Sequence, residues 1–276
     1  MRDGPRDWLR DALKRLLYMS ELPPSTMAGA PVIVRGLLAD YDPDRLDVLC
    51  CRRHHDVADA RIRDSYLDCP HTTVDSAQHW PLRPSRFFGP FWESVNLARV
   101  PRIVSVGRRI LEERGGEAIL TVPWRCDFAL AAYLLSRRTG VPLYVFEMDD
   151  WEAMNARAGP RPVARRYHGP MLRHAKRTWL ISPAMVDRYR KRFGIEGEFL
   201  HHHVDAQLYR DASAGREPFS DPERLSIVYT GSINRMFLDT MRSVCAAINR
   251  GLQVGGRTVT LSIYGSSCPP DLLGPR

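Results

Sequence analysis

The most restrictive feature of this sequence is a repeated alternation of short apolar runs with segments of helical periodicity. The clearest runs are 118–122, 142–147 and 178–181. Each is nearly continuous in apolar residues, which is typical of a strand buried on both faces of a sheet. Helical spacing follows at 128–138 and 183–193. This alternation predicts an α/β protein with a Rossmann-like, doubly wound and mainly parallel sheet.

The first half of the chain continues the same pattern less regularly. Further strands are predicted at 16–20, 47–51, near 72–74 and at 198–201, and helices at 30–38 and from about 91 to 114. A sheet of six or seven strands over residues 14–204 is therefore expected.

The C-terminal quarter of the sequence predicts a second and smaller unit. Residues 206–224 are polar and contain Gly215, Pro218 and Pro222, as in an interdomain linker. A strand at 225–229, a helix at 238–248 and a strand at 258–264 follow. One such βαβ unit cannot bury a doubly wound core. We therefore expect an N-terminal domain at 1–205, a linker at 206–224, and the incomplete start of a second Rossmann-like domain at 225–276.

The charge and the lack of targeting signals limit the partners. The formal net charge is +8, and only three of the 40 basic residues are lysine. This excess suits anions such as nucleotide diphosphates or acidic lipid headgroups, although a high-GC genome also favours arginine codons. We see no nucleic-acid-binding motif and expect no nucleic-acid partner. With no secretory signal and no apolar run of transmembrane length, a cytoplasmic protein is expected.

A basic and aromatic segment at 83–92 leaves two interpretations open. It contains Arg83, Arg86, Phe87, Phe88 and Trp92. Such a segment can make a peripheral contact with an anionic membrane, at the inner face, or it can pack against its own domain.

Candidate site residues follow the predicted strands, because parallel sheets bind ligands at the carboxyl ends of their strands. Asp149 and Asp150 are the candidate catalytic residues, although neighbouring residues on an extended segment point apart. The candidates for binding an acceptor are Ser25, Thr26, Gly29, Trp124, Arg125, Trp151, Ser182 and His202. Two of them have simpler explanations, since Gly29 suits a tight turn and Ser182 suits a helix N-cap.

The second unit offers a candidate phosphate site, whereas no metal site is expected. Gly231 and Ser232 follow a strand and precede a helix, where backbone N–H groups favour an anion, and Asn234 and Arg235 lie close by. The triplet 201–203 consists of three histidines, but adjacent imidazoles alternate sides and no metal-binding spacing supports them. The six cysteines form no CxxC pair.

Several segments in this order resemble family 4 of the retaining glycosyltransferases, which have the GT-B fold. They are Met-Asp-Asp-Trp at 148–151, Ile-Ser-Pro-Ala-Met at 181–185 and Tyr-Thr-Gly-Ser at 229–232, with Val-Asp at 204–205 before the linker. The resemblance implies an N-terminal domain that binds a saccharide or lipid-linked acceptor, and a C-terminal domain that binds a nucleotide-diphosphate sugar. It implies no metal and no cofactor beyond this co-substrate.

The sequence also departs from that family. Ser232 stands where an arginine is common, and Arg235 lies near but not at the usual lysine position. The family's later Glu-rich motif is absent, so we expect this chain to be truncated and inactive in sugar transfer by itself. Two alternatives remain. One is a non-enzymatic glycosyltransferase-like protein that binds a glycan, a lipid headgroup or a partner subunit. The other is a sugar-nucleotide epimerase, against which the missing GxGxxG argues.

Overall fold

The chain folds into two compact units, Met1–Val204 and Asp205–Arg276. The computed structural model describes residues 14–26, 29–56, 58–75, 96–151, 161–201, 210, 221–231, 233 and 238–264. Most of the predicted linker at 206–224, and the whole basic and aromatic segment at 83–92, lie outside the described residues.

Unit 1 is built on a seven-stranded sheet in which every pairing is parallel, in the order β3-β2-β1-β4-β5-β6-β7. The strands are β1 (Leu16–Met19), β2 (Leu46–Cys51), β3 (His71–Val74), β4 (Ala118–Thr121), β5 (Leu143–Glu147), β6 (Arg177–Leu180) and β7 (Glu198–Phe199). The predicted Rossmann-like α/β sheet is confirmed. Strands β1, β2, β4 and β5 are predominantly buried, because crossover helices on both faces cover them.

Three of the seven helices in the described part of unit 1 begin and end within two residues of their predicted bounds. They are α1 (Ala30–Leu38), α2 (Arg52–His55), α3 (Ala60–Arg63), α4 (Val100–Arg114), α5 (Cys126–Thr139), α6 (Arg161–His174) and α7 (Pro183–Phe193), with a 3-10 turn at Pro43–Arg45. Left-handed glycines at 115, 140 and 194 end α4, α5 and α7.

The other four helices differ from the predictions. The helix expected from about 91 begins at Val100, after a turn at 98–99, and residues 91–95 lie outside the described part of the chain. Helices α2, α3 and α6 were not predicted: α2 and α3 are short helices of four residues each, and Pro170, several arginines and the buried His168 obscure the periodicity of α6.

The core of unit 1 has two parts, one on each side of the sheet. Leu17 and Met19 pack with α4 to α7, whereas Tyr18 packs on the opposite face with α1, as the alternation of strand side chains requires. Helix α4 approaches α5 closely at Gly107, where a Cβ atom would lie only 2.8 Å from Leu135 Cδ2.

Unit 2 contains the predicted βαβ and one unpredicted strand. Its elements are β8 (Arg224–Thr230), α8 (Leu238–Asn249), β9 (Gln253–Val254) and β10 (Arg257–Tyr264). β10 pairs in parallel with β8 and antiparallel with β9. Gly255 and Gly256, both with positive φ, form the two-residue turn of the β9–β10 hairpin. Large apolar side chains remain exposed, including Val228 at 58% and Tyr264 at 65%.

None of the helices in the described ranges combines the length and the apolar character that crossing a membrane requires.

Candidate functional site

The strand order places the candidate site of unit 1 at the carboxyl ends of β1 and β4. β1 lies between β2 and β4. The chain passes from β1 to β2 and β3 on one side, and then crosses to β4 on the other side of β1. Such a switch point opens a crevice outside the carboxyl ends of the strands. Ser20, the residue after β1, donates from Oγ to the carbonyl oxygen of Val122 at 2.9 Å, which fixes the two loops against each other.

A charged cluster occupies this switch point. Arg125 Nε lies 3.1 Å from Glu21 Oε2, and Arg99 Nη1 lies 3.5 Å from Asp127 Oδ2. Glu21 and Asp127 are buried, whereas Arg125 is partly exposed. Asp127 lies in the first turn of α5 and its carboxylate accepts from Phe128 N at 3.0 Å. The cluster therefore holds two acids and two cations, with the Arg125 guanidinium nearest to solvent.

The pKa of Asp127 is the most informative property of this cluster. Burial, together with the neighbouring negative charge of Glu21, raises its pKa from 3.8 to about 6, although Arg99 acts in the opposite direction. A carboxyl group with a pKa close to neutral can accept or release a proton under physiological conditions. Strongly perturbed groups of this kind concentrate at functional sites, although structural ion pairs produce them too.

The loop after β1 holds three of the predicted acceptor-site residues. Ser25 is buried, and its N–H donates to the carbonyl oxygen of Pro31. Thr26 is exposed, and its N–H donates to Ser65 Oγ at 2.9 Å. Gly29 is the N-cap of α1 with φ 67°, a conformation that favours glycine. The loop is thus fixed by backbone hydrogen bonds near the start of α1.

The predicted catalytic pair follows β5, and its two carboxylates have different environments. The Asp150 carboxylate forms an ion pair with Arg188 of α7, with Nη2 and Oδ2 2.6 Å apart. Asp149 is exposed, and partial desolvation raises the pKa of its carboxyl group. Asp149 is consequently the member of the pair that is accessible to a substrate.

Three further predicted residues lie near the same strand ends. Trp124 is 37% exposed after β4, whereas Trp151 is buried in the core. The Ser182 hydroxyl accepts from Met185 N at 3.2 Å and caps α7, as its simpler explanation required. Among these three, Trp124 offers a surface to a ligand.

A buried acid–base pair supports the Asp149–Asp150 segment and was missed from the sequence. His168 Nε2 of α6 lies 2.9 Å from Oε1 of Glu147, the last residue of β5, and both side chains are completely buried. The rings of Trp151, Tyr189 and Phe193 contact His168. Burial raises the pKa of Glu147, and His168 counteracts this increase. The sequence signal for this pair was Glu147, an acidic residue at the end of an apolar run.

One face of α7 borders an open groove of about 600 Å³ beside this segment. Its lining residues are Ala184, Asp187, Arg188, Lys191 and Arg192. The groove is basic, and Arg188 connects it to Asp150.

The candidate phosphate site of unit 2 is described only at Gly231. Its φ of 141° favours glycine, and its N–H donates to the carbonyl oxygen of Tyr264 at 2.9 Å. That N–H is therefore already occupied. Ser232, Asn234 and Arg235 lie outside the described residues, as does His202 of unit 1.

Within the described ranges, no group of three or more His, Cys, Asp or Glu residues is arranged to hold a metal ion. This finding does not extend to His202 and His203, which are not described.

Comparisons with known proteins identify the fold. No protein-family model matches the chain, and no curated protein matches it in sequence. Among solved structures, it is similar to CalG4, the calicheamicin glycosyltransferase, at 12% identity and a TM-score of 0.54, over 95% of this chain and 68% of CalG4. Apo UGT2 from Phytolacca americana matches at 11% identity and a TM-score of 0.49, over 92% of this chain and 73% of that chain. SnogD from Streptomyces nogalater matches at 13% identity and a TM-score of 0.47, over 95% of this chain and 68% of SnogD.

The similarity to CalG4 supports one structural conclusion. The chain has the α/β, Rossmann-like fold of the GT-B glycosyltransferases. It spans 68% to 73% of the length of these three solved structures.

Proposed function

We propose that this chain belongs to a glycosyltransferase that transfers a sugar from a nucleotide-diphosphate sugar to a saccharide or lipid-linked acceptor, with retention of configuration. The observation that carries the proposal is the seven-stranded parallel sheet of GT-B type with a charged cluster at its switch point. The choice of family 4 and of retention rests on the sequence motifs at 148–151, 181–185 and 229–232.

The accessible groups of unit 1 suit an acceptor that carries hydroxyl groups. Trp124 offers a partly exposed ring, and sugar rings stack on such surfaces through their C–H faces. Arg125 adds a partly exposed guanidinium that pairs with Glu21. Asp149 is exposed and accepts hydrogen bonds when ionised, so it can orient an acceptor hydroxyl towards the reacting carbon.

Gly231, Ser232, Asn234 and Arg235 are proposed to contact the donor diphosphate in unit 2. Because the Gly231 N–H is occupied by Tyr264, the phosphate contacts are assigned to the N–H groups and side chains that follow it. Stabilising the departing diphosphate is the main electrostatic demand of the reaction.

We also propose that these 276 residues do not catalyse transfer alone. The described part of unit 2 has a three-stranded sheet, on which Ile227 and Val228 are exposed. Few groups there can grip a base, ribose and sugar, although such remote contacts supply much of the energy that positions a substrate.

The decisive experiment compares this chain with a longer chain whose second domain is extended to full size. Both are assayed with UDP-, GDP-, ADP- and dTDP-sugars against saccharide and lipid acceptors, and the anomeric configuration of the product is read by NMR. We expect transfer with retention by the longer chain only. Inversion would overturn the assignment to family 4, and equal rates would overturn the proposed inactivity of the shorter chain.

A matched pair of variants in the longer chain tests the site. Asp149→Asn removes the proposed acceptor contact, and we expect it to lower kcat/KM by at least about tenfold. Asp40→Asn makes the same change at an exposed residue just after the end of α1 that is not among the candidate site residues, and we expect it to leave the rate unchanged.

The alternative is a binding protein without turnover, and no observation favours it. It would show saturable glycan or lipid binding together with no transfer by either chain. Cytoplasmic location and membrane contact through residues 83–92 remain predictions from the sequence.

A further inference from the structure

The positive charge of the chain is concentrated in one stretch of unit 1. Residues 161–195 contain ten Arg and Lys against one acid, Asp187, which gives a net charge of +9. Since the whole chain carries +8, the other 241 residues together sum to −1. A charge distribution this uneven is not explained by codon usage alone, because a genomic bias towards arginine acts along the entire chain.

The fold gathers part of this charge at one edge of the sheet. Helices α5, α6 and α7 cross between parallel strands, so their C-terminal turns meet at the amino edge, opposite the candidate site. His174 Nε2 lies 2.9 Å from Ser136 Oγ and joins the end of α6 to α5, whereas Arg173 Nη1 donates to the carbonyl oxygen of Phe193 at 3.3 Å and joins α6 to α7. We name the exposed cations at these helix ends the basic rim: Arg137, Arg138, Arg173, Lys176, Lys191 and Arg192.

Helix α4 shows how arginines on this protein are normally balanced. Its pairs are Arg108 with Glu112, Arg109 with Glu113 and Arg114 with Asp47, at 2.6, 4.0 and 2.9 Å. Five of the six rim residues lack this compensation: within the described ranges, no carboxylate lies at ion-pair distance from Arg137, Arg138, Arg173, Lys176 or Lys191. The sixth, Arg192, lies over the ring of Phe193. Interaction with the helix dipoles accounts for a cation in each last turn, but Lys176 lies beyond the end of α6.

We propose that the basic rim docks unit 1 onto an anionic lipid bilayer. Neighbouring helices lie about 8–10 Å apart, so three helix ends present a row of cations roughly 20 Å long, which matches a flat layer of phosphates. The rings of Tyr133 and Phe193 lie beneath Arg137 and Arg192. They are not available for base stacking, which single-stranded nucleic acids require.

The proposal does not depend on the proposed function, since the helix ends that form the rim lie at the edge of the sheet opposite the acceptor residues; Lys191 and Arg192 also line the groove along α7. Each Lys or Arg near an anionic bilayer contributes about 1 kcal/mol, which corresponds to about a fivefold change in partitioning.

The test uses the full 276-residue chain and co-sedimentation with vesicles of phosphatidylcholine, alone or mixed with phosphatidylglycerol. The rim variant is Arg138→Gln, Lys176→Gln and Lys191→Gln. Its matched control is Arg102→Gln, Arg108→Gln and Arg109→Gln, which removes the same charge from ion-paired sites on α4. Circular dichroism verifies that both variants are folded.

We expect the wild-type chain to bind only the mixed vesicles, and to bind them more weakly at high salt. The rim variant should bind the mixed vesicles about 100-fold more weakly, whereas the affinity of the control variant should change much less. Equal losses in the two variants would mean that net charge alone acts, which overturns the assignment to the rim. Equal binding to phosphatidylcholine, or preference for duplex DNA over mixed vesicles at the same phosphate concentration, would overturn the choice of an anionic bilayer.

Discussion

Replacing Asp127 by asparagine should change how the stability of unit 1 depends on pH. The pKa of this carboxyl is raised from 3.8 to about 6, chiefly by burial and then by Glu21. Because each tenfold change in proton affinity is worth about 1.4 kcal/mol, the difference corresponds to about 3 kcal/mol.

The sign follows from which state binds the proton more tightly. Below about pH 3.8 the carboxyl is protonated in both the folded and unfolded chains, so its stabilising contribution is complete. As the pH rises towards about 6, the unfolded chain releases the proton first, which favours unfolding. Asparagine does not titrate. Relative to the wild type, Asp127→Asn should therefore gain about 3 kcal/mol of stability between pH of about 3.5 and about 7.

The assay is urea unfolding at several pH values, followed by the fluorescence of the buried Trp151 and its neighbours in unit 1. Glu21→Gln in the wild-type background provides an internal check, because removing that negative charge should lower the pKa of Asp127 and move the transition to lower pH. A constant difference between Asp127→Asn and the wild type across this range would refute the argument that burial raises this pKa.

Three further changes test the packing of unit 1 by the same unfolding assay. His168→Phe should cost about 3–5 kcal/mol because it leaves the Glu147 carboxylate buried without its partner, whereas the double variant with Glu147→Leu should recover most of that loss; equal costs for the single and double variants would contradict this. Ser182→Ala should cost about 1 kcal/mol by removing the N-cap of α7, and no change would show that the cap is dispensable. Gly107→Ala should destabilise unit 1 by about 1–3 kcal/mol, because the added Cβ clashes with α5. Gly36→Ala, with no atom within 4 Å of the added Cβ, should stabilise it by up to about 1 kcal/mol. A Gly107→Ala protein more stable than the Gly36→Ala protein would refute the close approach of α4 to α5.

The strands of this protein could be predicted because burial on both faces leaves a direct mark on the sequence. A strand covered on both sides needs apolar residues at every position, so β5 was recognisable as the run at 142–147. Glycines that end helices gave a second local signal, as at Gly140 and Gly194. Both signals are contained within a few consecutive residues.

Helix α6 escaped prediction because its buried face includes a polar residue. Ala164, His168, Met171 and Leu172 are buried at helical spacing, but a histidine in this stripe breaks the apolar pattern. His168 is buried only because Glu147 of a different element pairs with it. The pairing of Glu21 with Arg125 is equally invisible locally, since it depends on β1 and β4 becoming neighbours. Residue types at strand ends could be predicted, whereas their partners required the sheet.

The central position of β1 also governs the order in which the chain can assemble during synthesis. β1 pairs with β2 early, but its other edge waits for β4, since Leu16 is in register with Ala118. At about 5–20 residues per second, a ribosome needs roughly 5–20 s to produce the intervening chain. During that interval a nascent β1–β2–β3 fragment exposes an unpaired apolar strand edge, the kind of surface that chaperones recognise. Completion of β4 is therefore the step that closes this edge and commits the nascent chain to its native sheet.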